Sequence, residues 1–449
     1  MKKTQHLTVV FFVLLICGGL LWAGGQKEAT GTTMTAKEQK GFSWTKYSGT
    51  TIRTIHPSYP YIAIVEPLIP EFTALTGIKV DLETLPETAM RQKLTVELVA
   101  KNPNIDNYPS MGIQEGFKYH KAGWYTDMEQ FPKNPDLTNP EYDFADFTPA
   151  ALDVCKVKGM LVGIPEISNT QMFYYRKDIF QKYGVKVDTL EELEAVAKKL
   201  TGIEKDFYGI TLRGRAAAAT SQWSSFLYSY GGSWLKPDGS PAMNSPEALK
   251  AYELYGKLVR EYAPPGSINN TWQQCLPIFT NGKAAMYIDG AVFSGTAADP
   301  KESKVADQVG FGPFPKGPAG SKPFINNWMW AISPFSEKKE AAWYFIQWAT
   351  SKEMDKKVAL AGIAPTRKST WEYEGYIKSG FPAAHPDYLN ALRTNLMNAH
   401  PYQSAPVEPV NEFRDIVGNV IIVAIQGGDI KKAADEANKQ LEELLAKYK

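Results

Sequence analysis

The chain has 449 residues, of which 44% are hydrophobic and 22% charged, and its formal net charge is +1. That composition excludes general disorder, and a near-neutral charge leaves no electrostatic footprint for nucleic acid or an anionic membrane face. The length implies roughly two to four domains, because a single core stops growing near 250–300 residues.

The N-terminus carries Lys2 and Lys3, an apolar run from Leu7 to Trp22, and the small residues Ala23, Gly24 and Gly25. This reads as the charged region, apolar region and cleavage site of a signal peptide over residues 1–25, with the mature protein periplasmic or otherwise extracytoplasmic. Cys17 raises the alternative of a lipid anchor, but Ile16 precedes it where that modification needs a small residue, so free export is the favoured reading. Loss of Lys2 and Lys3 with the leader takes the formal charge from +1 to −1. No later apolar run reaches the roughly 18–20 residues of a bilayer-spanning helix, so a soluble mature chain is expected. Residues 26–44 read as a flexible tether.

Ordered structure is expected from "TTIRTIHP" (50–57), an alternating strand, followed by a helix over 61–77 that stops at Gly77 and a second strand at 78–85. Strand, helix and strand within about 35 residues make a βαβ unit and hence a parallel sheet. Thr189 and Glu192 form a capping box for "TLEELEAVAKKL"; a strand at 207–212 and the helix "ATSQWSSFLYSYGG" follow. "PPG" at 264–266 and the segment 311–323 are loops. From Glu337 onward the pattern is mainly helical, with Trp343, Phe345 and Trp348 in the core and Asp429 capping a terminal amphipathic helix. The fold class is α/β in two lobes. Cys155 and Cys275 are too few for a disulfide framework, and their pairing is left open.

Chemistry-bearing motifs are scarce. There is no G-x-S-x-G, H-E-x-x-H, P-loop or dinucleotide fingerprint, and the five histidines do not stand at metal-ligand spacing. Asp127 and Glu166 would serve a glycosidase only if they lay roughly 5–9 Å apart, and a solvated-surface role is the simpler one. Aromatic residues, by contrast, reach 12%, including 11 Trp and 23 Tyr. Their flat apolar faces and polar edges suit a ligand that alternates C–H and hydroxyl surfaces. Trp328 and Trp330, in "NNWMWAI" beside the longest Gly/Pro loop, stand equally well for cleft lining and for core packing.

"VGIPEISNTQMFYYRKDIFQKYGV" (162–185), "YGITLRGR" (208–215), "YAPPGSINNTW" (262–272), "FTNGKAAMYIDGAV" (279–292), "AAWYFIQWATSKE" (341–353) and "APTRKS" (364–369) resemble, in order and spacing, the motifs of extracellular solute-binding proteins of carbohydrate ABC transporters. Within that family the chain is most similar to the sorbitol/mannitol-binding branch. "RAAAATSQW" after "LRG" departs from that branch, which puts the identity of the sugar in doubt.

The resemblance implies the type II periplasmic-binding-protein fold, with a ligand cleft between the lobes. Crossings are implied near Gly163–Glu166, before Asn326 and near Arg367. The implied lobes are residues 45–162 plus 312–368 and residues 163–311 plus 369–449. It further implies a monomer that carries a small sugar or polyol to ABC permease subunits, without cofactor, metal or catalytic residues and with no nucleic acid as partner.

Trp328 and Trp330 would stack on such a ligand, Arg213 would donate a forked pair of hydrogen bonds, and Asp289 would accept them. Glu166, Tyr59, His56, Asn107, Ser110, Trp223, Trp234, Trp272 and Arg367 are further candidates. For each of them a plain structural role stands beside the ligand-contact one. A secreted carbohydrate hydrolase is the rival from another class. A nearer rival keeps the fold but binds an oligosaccharide or a glycerol phosphoester, the latter favoured if Arg213 and Arg215 both point inward.

Overall fold

The computed structural model describes residues 41–378 and 380–448. The expected signal peptide, Cys17 and residues 26–40 of the expected tether lie outside the described residues.

The strands, in chain order, are β1 (Thr51–Pro57), β2 (Lys79–Leu85), β3 (Asn107–Ser110), β4 (Lys156–Val157), β5 (Met160–Leu161) and β6 (Ile164–Pro165), then β7 (Asn169–Arg176), β8 (Tyr208–Thr211), β9 (Ala284–Gly290), β10 (Val309–Gly312), β11 (Ile325–Asn326) and β12 (Met329–Ile332). They build two five-stranded sheets and one hairpin. The first sheet has the order β2-β1-β3-β12-β6, and the second runs β10-β7-β9-β8 with β11 added on β7. In the first, β1 is parallel to β2 and β3, as the βαβ pattern predicts. The returning strand β12 lies antiparallel to β3, with Met329 opposite Ser110. In the second, β8 and β9 are parallel, while β7 is antiparallel to β9 and β10.

The expected helix over 61–77 is broken into Pro60–Val65, a 3-10 turn at Glu66–Leu68 and Ile69–Thr76. Pro67 and Pro70 supply no N–H to a continuous ladder. Gly77 ends the run at φ 72°, a conformation that costs glycine nothing. The capping box closes as expected: Glu192 N donates to Thr189 Oγ1 at 3.2 Å, and Thr189 N donates to Glu192 Oε2 at 3.1 Å. Asp429 accepts from Lys432 N at 2.9 Å and caps Ile430–Ala446. Trp343, Phe345 and Trp348 are buried. Cys155 and Cys275 are both free thiols in the interior.

The chain passes from the first sheet to the second between Pro165 and Asn169, and returns between Asn326 and Met329. This moves one expected lobe boundary. The segment 313–326, assigned from residue 312 to the first lobe, fastens instead to the second. Lys316 exchanges backbone hydrogen bonds with Asp188 and Leu190, and Phe324 N donates to Ser225 Oγ at 2.9 Å. Near the implied third crossing, Ala364 bridges Ser168 of the first crossing, while Arg367 itself is held by the first half. Its guanidinium donates to Thr350 O at 2.7 and 2.9 Å, to Tyr142 O at 3.0 Å and to Asp143 O at 3.1 Å, and it lies 4.0 Å from the Phe147 ring centroid. These partners all belong to the first half of the structure. Beyond Arg367, Phe381 and His385 pack on Phe311 of β10, and the helix Pro386–Asn398 packs on β7 and β10.

Arg367 is fully buried, so its work is to tie several carbonyl groups together. Arg367→Met should lower the free energy of unfolding in urea by roughly 3–5 kcal/mol, because it strips donors from a buried charged network, and should leave ligand affinity unchanged.

Candidate functional site

The C-terminal ends of the parallel strands point to one place. β1 leads into Tyr59, β2 into Glu87 and β3 into Met111 and Gln114, while β8 leads into Arg213 and β9 ends at Asp289 and Gly290. Loops at these ends are where α/β sheets place ligands, and here two sheets aim theirs at a shared space. The result is a cavity of about 120 Å³ lined by residues of both sheets.

One wall is aromatic. Tyr59 meets Trp272, Phe293 and Trp328 at ring-centroid distances of 6.3, 6.0 and 6.1 Å, and Trp272 stacks on Phe293 at 5.0 Å. The Arg91 guanidinium covers the Trp328 ring at 4.8 Å and is held by Glu87 at 3.2 Å and Glu115 at 2.6 Å. Among the described residues neither Tyr59 Oη nor Trp328 Nε1 makes a hydrogen bond, so both polar edges are available in the cavity. Burial, reinforced by Glu87, raises the Tyr59 pKa well above the ordinary phenol value, and its hydroxyl keeps its proton to donate.

The opposite wall rests on a buried ion pair. Arg213 Nε donates to Asp289 Oδ2 at 2.9 Å, and Arg213 Nη2 pairs with Oδ1. Gln222 Nε2 donates to Oδ2 at 2.8 Å, and Gly290 N donates to Oδ1 at 2.7 Å. A carboxylate has about four lone-pair sites, and these four donors fill them. Asp289 thus fixes Arg213 from within the protein while lining the cavity itself. Burial alone would lower the Arg213 pKa, but the carboxylate more than offsets that, so the guanidinium stays charged. Gln222 completes the clamp by accepting from Arg213 N at 2.8 Å.

A chain of amides crosses the floor. Asn169 Nδ2 donates to Asn326 Oδ1 at 2.7 Å, Asn326 Nδ2 to Gln403 Oε1 at 2.7 Å, and Gln403 Nε2 to Gln114 Oε1 at 3.0 Å. It links β7 of the second sheet to the loop after β3 of the first, so the two halves meet through groups that can also pair with hydroxyls.

Of the residues singled out from sequence, Tyr59, Arg213, Trp272, Asp289 and Trp328 line the cavity. The others do not. Trp330 is fully buried one layer behind, 4.9 Å from His56 and 5.5 Å from Phe345, with Nε1 donating to Tyr61 Oη at 3.1 Å. Trp328 precedes β12 at the crossing, next to Tyr59 and the cavity. His56 and Glu166 are buried against each other at 3.1 Å. Since His56 Nδ1 faces Pro57 O at 2.9 Å and must donate there, one proton lies between Nε2 and the carboxylate.

Asn107 is buried in β3, and Ser110 Oγ is spent on Tyr125 Oη at 2.6 Å and Glu115 at 3.2 Å. Trp223 stacks on Tyr252 at 4.3 Å, and Trp234 packs edge-on against Trp223 at 5.5 Å with Nε1 on Tyr402 O. Both are core residues of the second half. Arg215 is exposed, so Arg213 and Arg215 do not both point inward, and Asp127 is exposed as the cap of a 3-10 turn, far in role from the buried Glu166.

Sequence reasoning missed Glu87, Gln114, Asn169, Gln403 and Arg414. Glu87 and Gln114 follow the ends of β2 and β3, so the rule that selects Tyr59 after β1 would have selected them. Arg414 stands on the apolar stripe Val410, Val417, Ile421, where a charge is out of place.

Two α/β halves joined by repeated crossings, with a lined cavity between their strand ends, define a two-lobed binding protein of the type II arrangement. Residues 58–356 match the model of bacterial extracellular solute-binding proteins; the chain belongs to that family. It is 29% identical over 360 residues to a mannitol-binding protein of Pseudomonas aeruginosa, covering 76% of this chain and 80% of that one. It is 30% identical over 380 residues to an erythritol/L-threitol-binding protein of Mycolicibacterium smegmatis, covering 80% and 78%. A solute-binding protein from Agrobacterium radiobacter, solved in complex with ribitol, superposes with a TM-score of 0.80 at 30% identity over 88% of this chain and 99% of that one.

The two tryptophans separate binding from folding. Trp328→Ala should weaken ligand binding by about 1–2 kcal/mol, the value of tens of Å² of apolar contact at about 25 cal/mol per Å², as titration calorimetry would read. Trp330→Ala should instead cost roughly 3–5 kcal/mol of stability in urea denaturation.

Proposed function

We propose that this protein is the substrate-binding component of an ABC transporter, which takes up a sugar or sugar alcohol between its lobes and delivers it to the permease subunits without altering it. The observation that carries the reading is the cavity itself: an aromatic wall faces a fixed guanidinium across a floor of amides, and the space is small. Aromatic faces cover C–H surface, while arginine and amide groups satisfy hydroxyls that would each cost roughly 1–3 kcal/mol if buried unpaired. A cavity of about 120 Å³ favours a monosaccharide or an acyclic polyol over an oligosaccharide. Family membership supports export, and the leader read at residues 1–25 supplies the route; the relatives bind mannitol, erythritol or threitol and ribitol.

The lobes in this reading are residues 41–166 with 328–371 and residues 167–327 with 386–448. Asp289 is fully buried and Trp328 is 1% exposed, so ligand enters only when the lobes part at their crossings. Bound ligand then favours the closed arrangement in proportion to its extra contacts there.

A thermal-shift screen of residues 26–449 against pentoses, hexoses, tetritols to hexitols, disaccharides and glycerol phosphodiesters tests this. A ligand at 100 times its dissociation constant should add about 2.7 kcal/mol of stability and be recovered unchanged. Stabilisation by a disaccharide alone, or consumption of any sugar, would contradict the reading.

A further inference from the structure

One arginine of the cavity has no carboxylate directly beside it. Arg414 lies on the helix Val410–Gln426 and is 8% exposed. Its Nε donates to Thr220 Oγ1 at 3.0 Å, and Nη2 donates to Ala217 O at 2.7 Å and Ser221 Oγ at 3.1 Å. All three acceptors are neutral. Among the described residues no carboxylate stands within ion-pair distance of this guanidinium, and Nη1 makes no hydrogen bond. Burial, reinforced by the positive charge of Arg91 and opposed by Glu87, pushes its pKa down to about 10, which leaves it charged at neutral pH. The other two arginines here differ: Arg213 is neutralised by Asp289, and Arg91 by Glu87 and Glu115.

A second feature adjoins the first. The 14-residue helix Ala216–Ser229 starts with a run of alanines, no side chain caps it, and Ala218 in its first turn lines the same cavity. The first N–H groups of a helix have no intrahelical acceptor and carry partial positive charge. Arg414 is fastened to this turn through Ala217 O, so a lone guanidinium and an uncapped helix start share one end of the cavity. Among the described residues no carboxylate pairs with Arg414 and no side chain caps this helix.

We propose that the ligand carries a carboxylate at that end: a polyhydroxy carboxylate, the acid counterpart of a sugar alcohol, with its hydroxyl chain toward Tyr59, Trp272 and Trp328. This rests on the reading of the cavity as a sugar or polyol site and narrows it. The carboxylate accepts from Arg414 Nη1 and from the helix amides, and removes the penalty of a buried unpaired charge. A neutral polyol offers only hydroxyl oxygens there and leaves the charge in place.

Titration calorimetry of residues 26–449 at pH 7 with ribitol against ribonate, mannitol against mannonate, and ribitol 5-phosphate tests the proposal. The acids should bind about tenfold or more tighter than the matching alcohols, which is about 1.4 kcal/mol. Ala218→Asp sets a protein carboxylate in the first turn of the helix, where it also suits the helix dipole. It should abolish the preference for acids, and Arg414→Gln should abolish it too, with circular dichroism confirming that both variants fold. Alcohols that bind as tightly as the acids overturn the carboxylate and leave the polyol reading standing. A phosphate ester that binds tightest overturns it in favour of a larger anion, and an acid preference that survives Ala218→Asp overturns the assigned position. Absence of binding by every probe sinks this proposal together with the reading beneath it.

Discussion

Arg213 faces the cavity with its charge already held by the protein, through the pair it forms with Asp289. Asp289 sits at the end of β9 with no exposure and spends every lone pair on Arg213, Gln222 and its own neighbour Gly290. Gln222 in turn lies on the helix Ala216–Ser229 and Arg213 on the turn that precedes it, so one carboxylate locks a strand, a turn and a helix into a single wall. Breaking such a pair leaves an uncompensated ion, which is why the geometry of the second lobe's wall is rigid. Arg213 is thereby held in one orientation at the cavity, with little conformational freedom left.

The facing wall is built by a different economy of contacts. Trp328 lies at the return crossing, where Glu166 N donates to Trp328 O at 3.0 Å, and its ring meets Tyr59 at the cavity. A residue at a crossing belongs to neither sheet. Its ring is free to face the space between them, whereas Trp330, two residues further on, is captured by the first sheet. The same crossing lets the lobes move as bodies, so one short segment supplies both a stacking face and a pivot.

Much of this was legible in the sequence, and the limits have physical causes. Period-two and helical spacing marked β1, β2 and β8 and the capped helix at Leu190, because local chemistry decides those elements. Strand ends gave Tyr59, and charged or aromatic residues beside turns gave Arg213, Asp289 and Trp272. Composition could not separate Trp328 from Trp330, or remove Trp223, Trp234 and Arg367 from the site, since exposure depends on contacts made 100 or more residues away, such as Arg367 with Tyr142. The amide floor was invisible for the same reason: Asn169, Asn326, Gln403 and Gln114 are ordinary residues until the fold brings them into line.

The central claim is that a small hydroxylated ligand lies between the lobes, held by Arg213 on one side and Trp328 on the other. A crystal structure grown with the compound that stabilises the protein most would test it directly. Ligand density against the Trp328 ring, with an oxygen within about 3.2 Å of Arg213 Nη1, is the predicted result. Density elsewhere on the protein, with this cavity holding only water, would contradict the account.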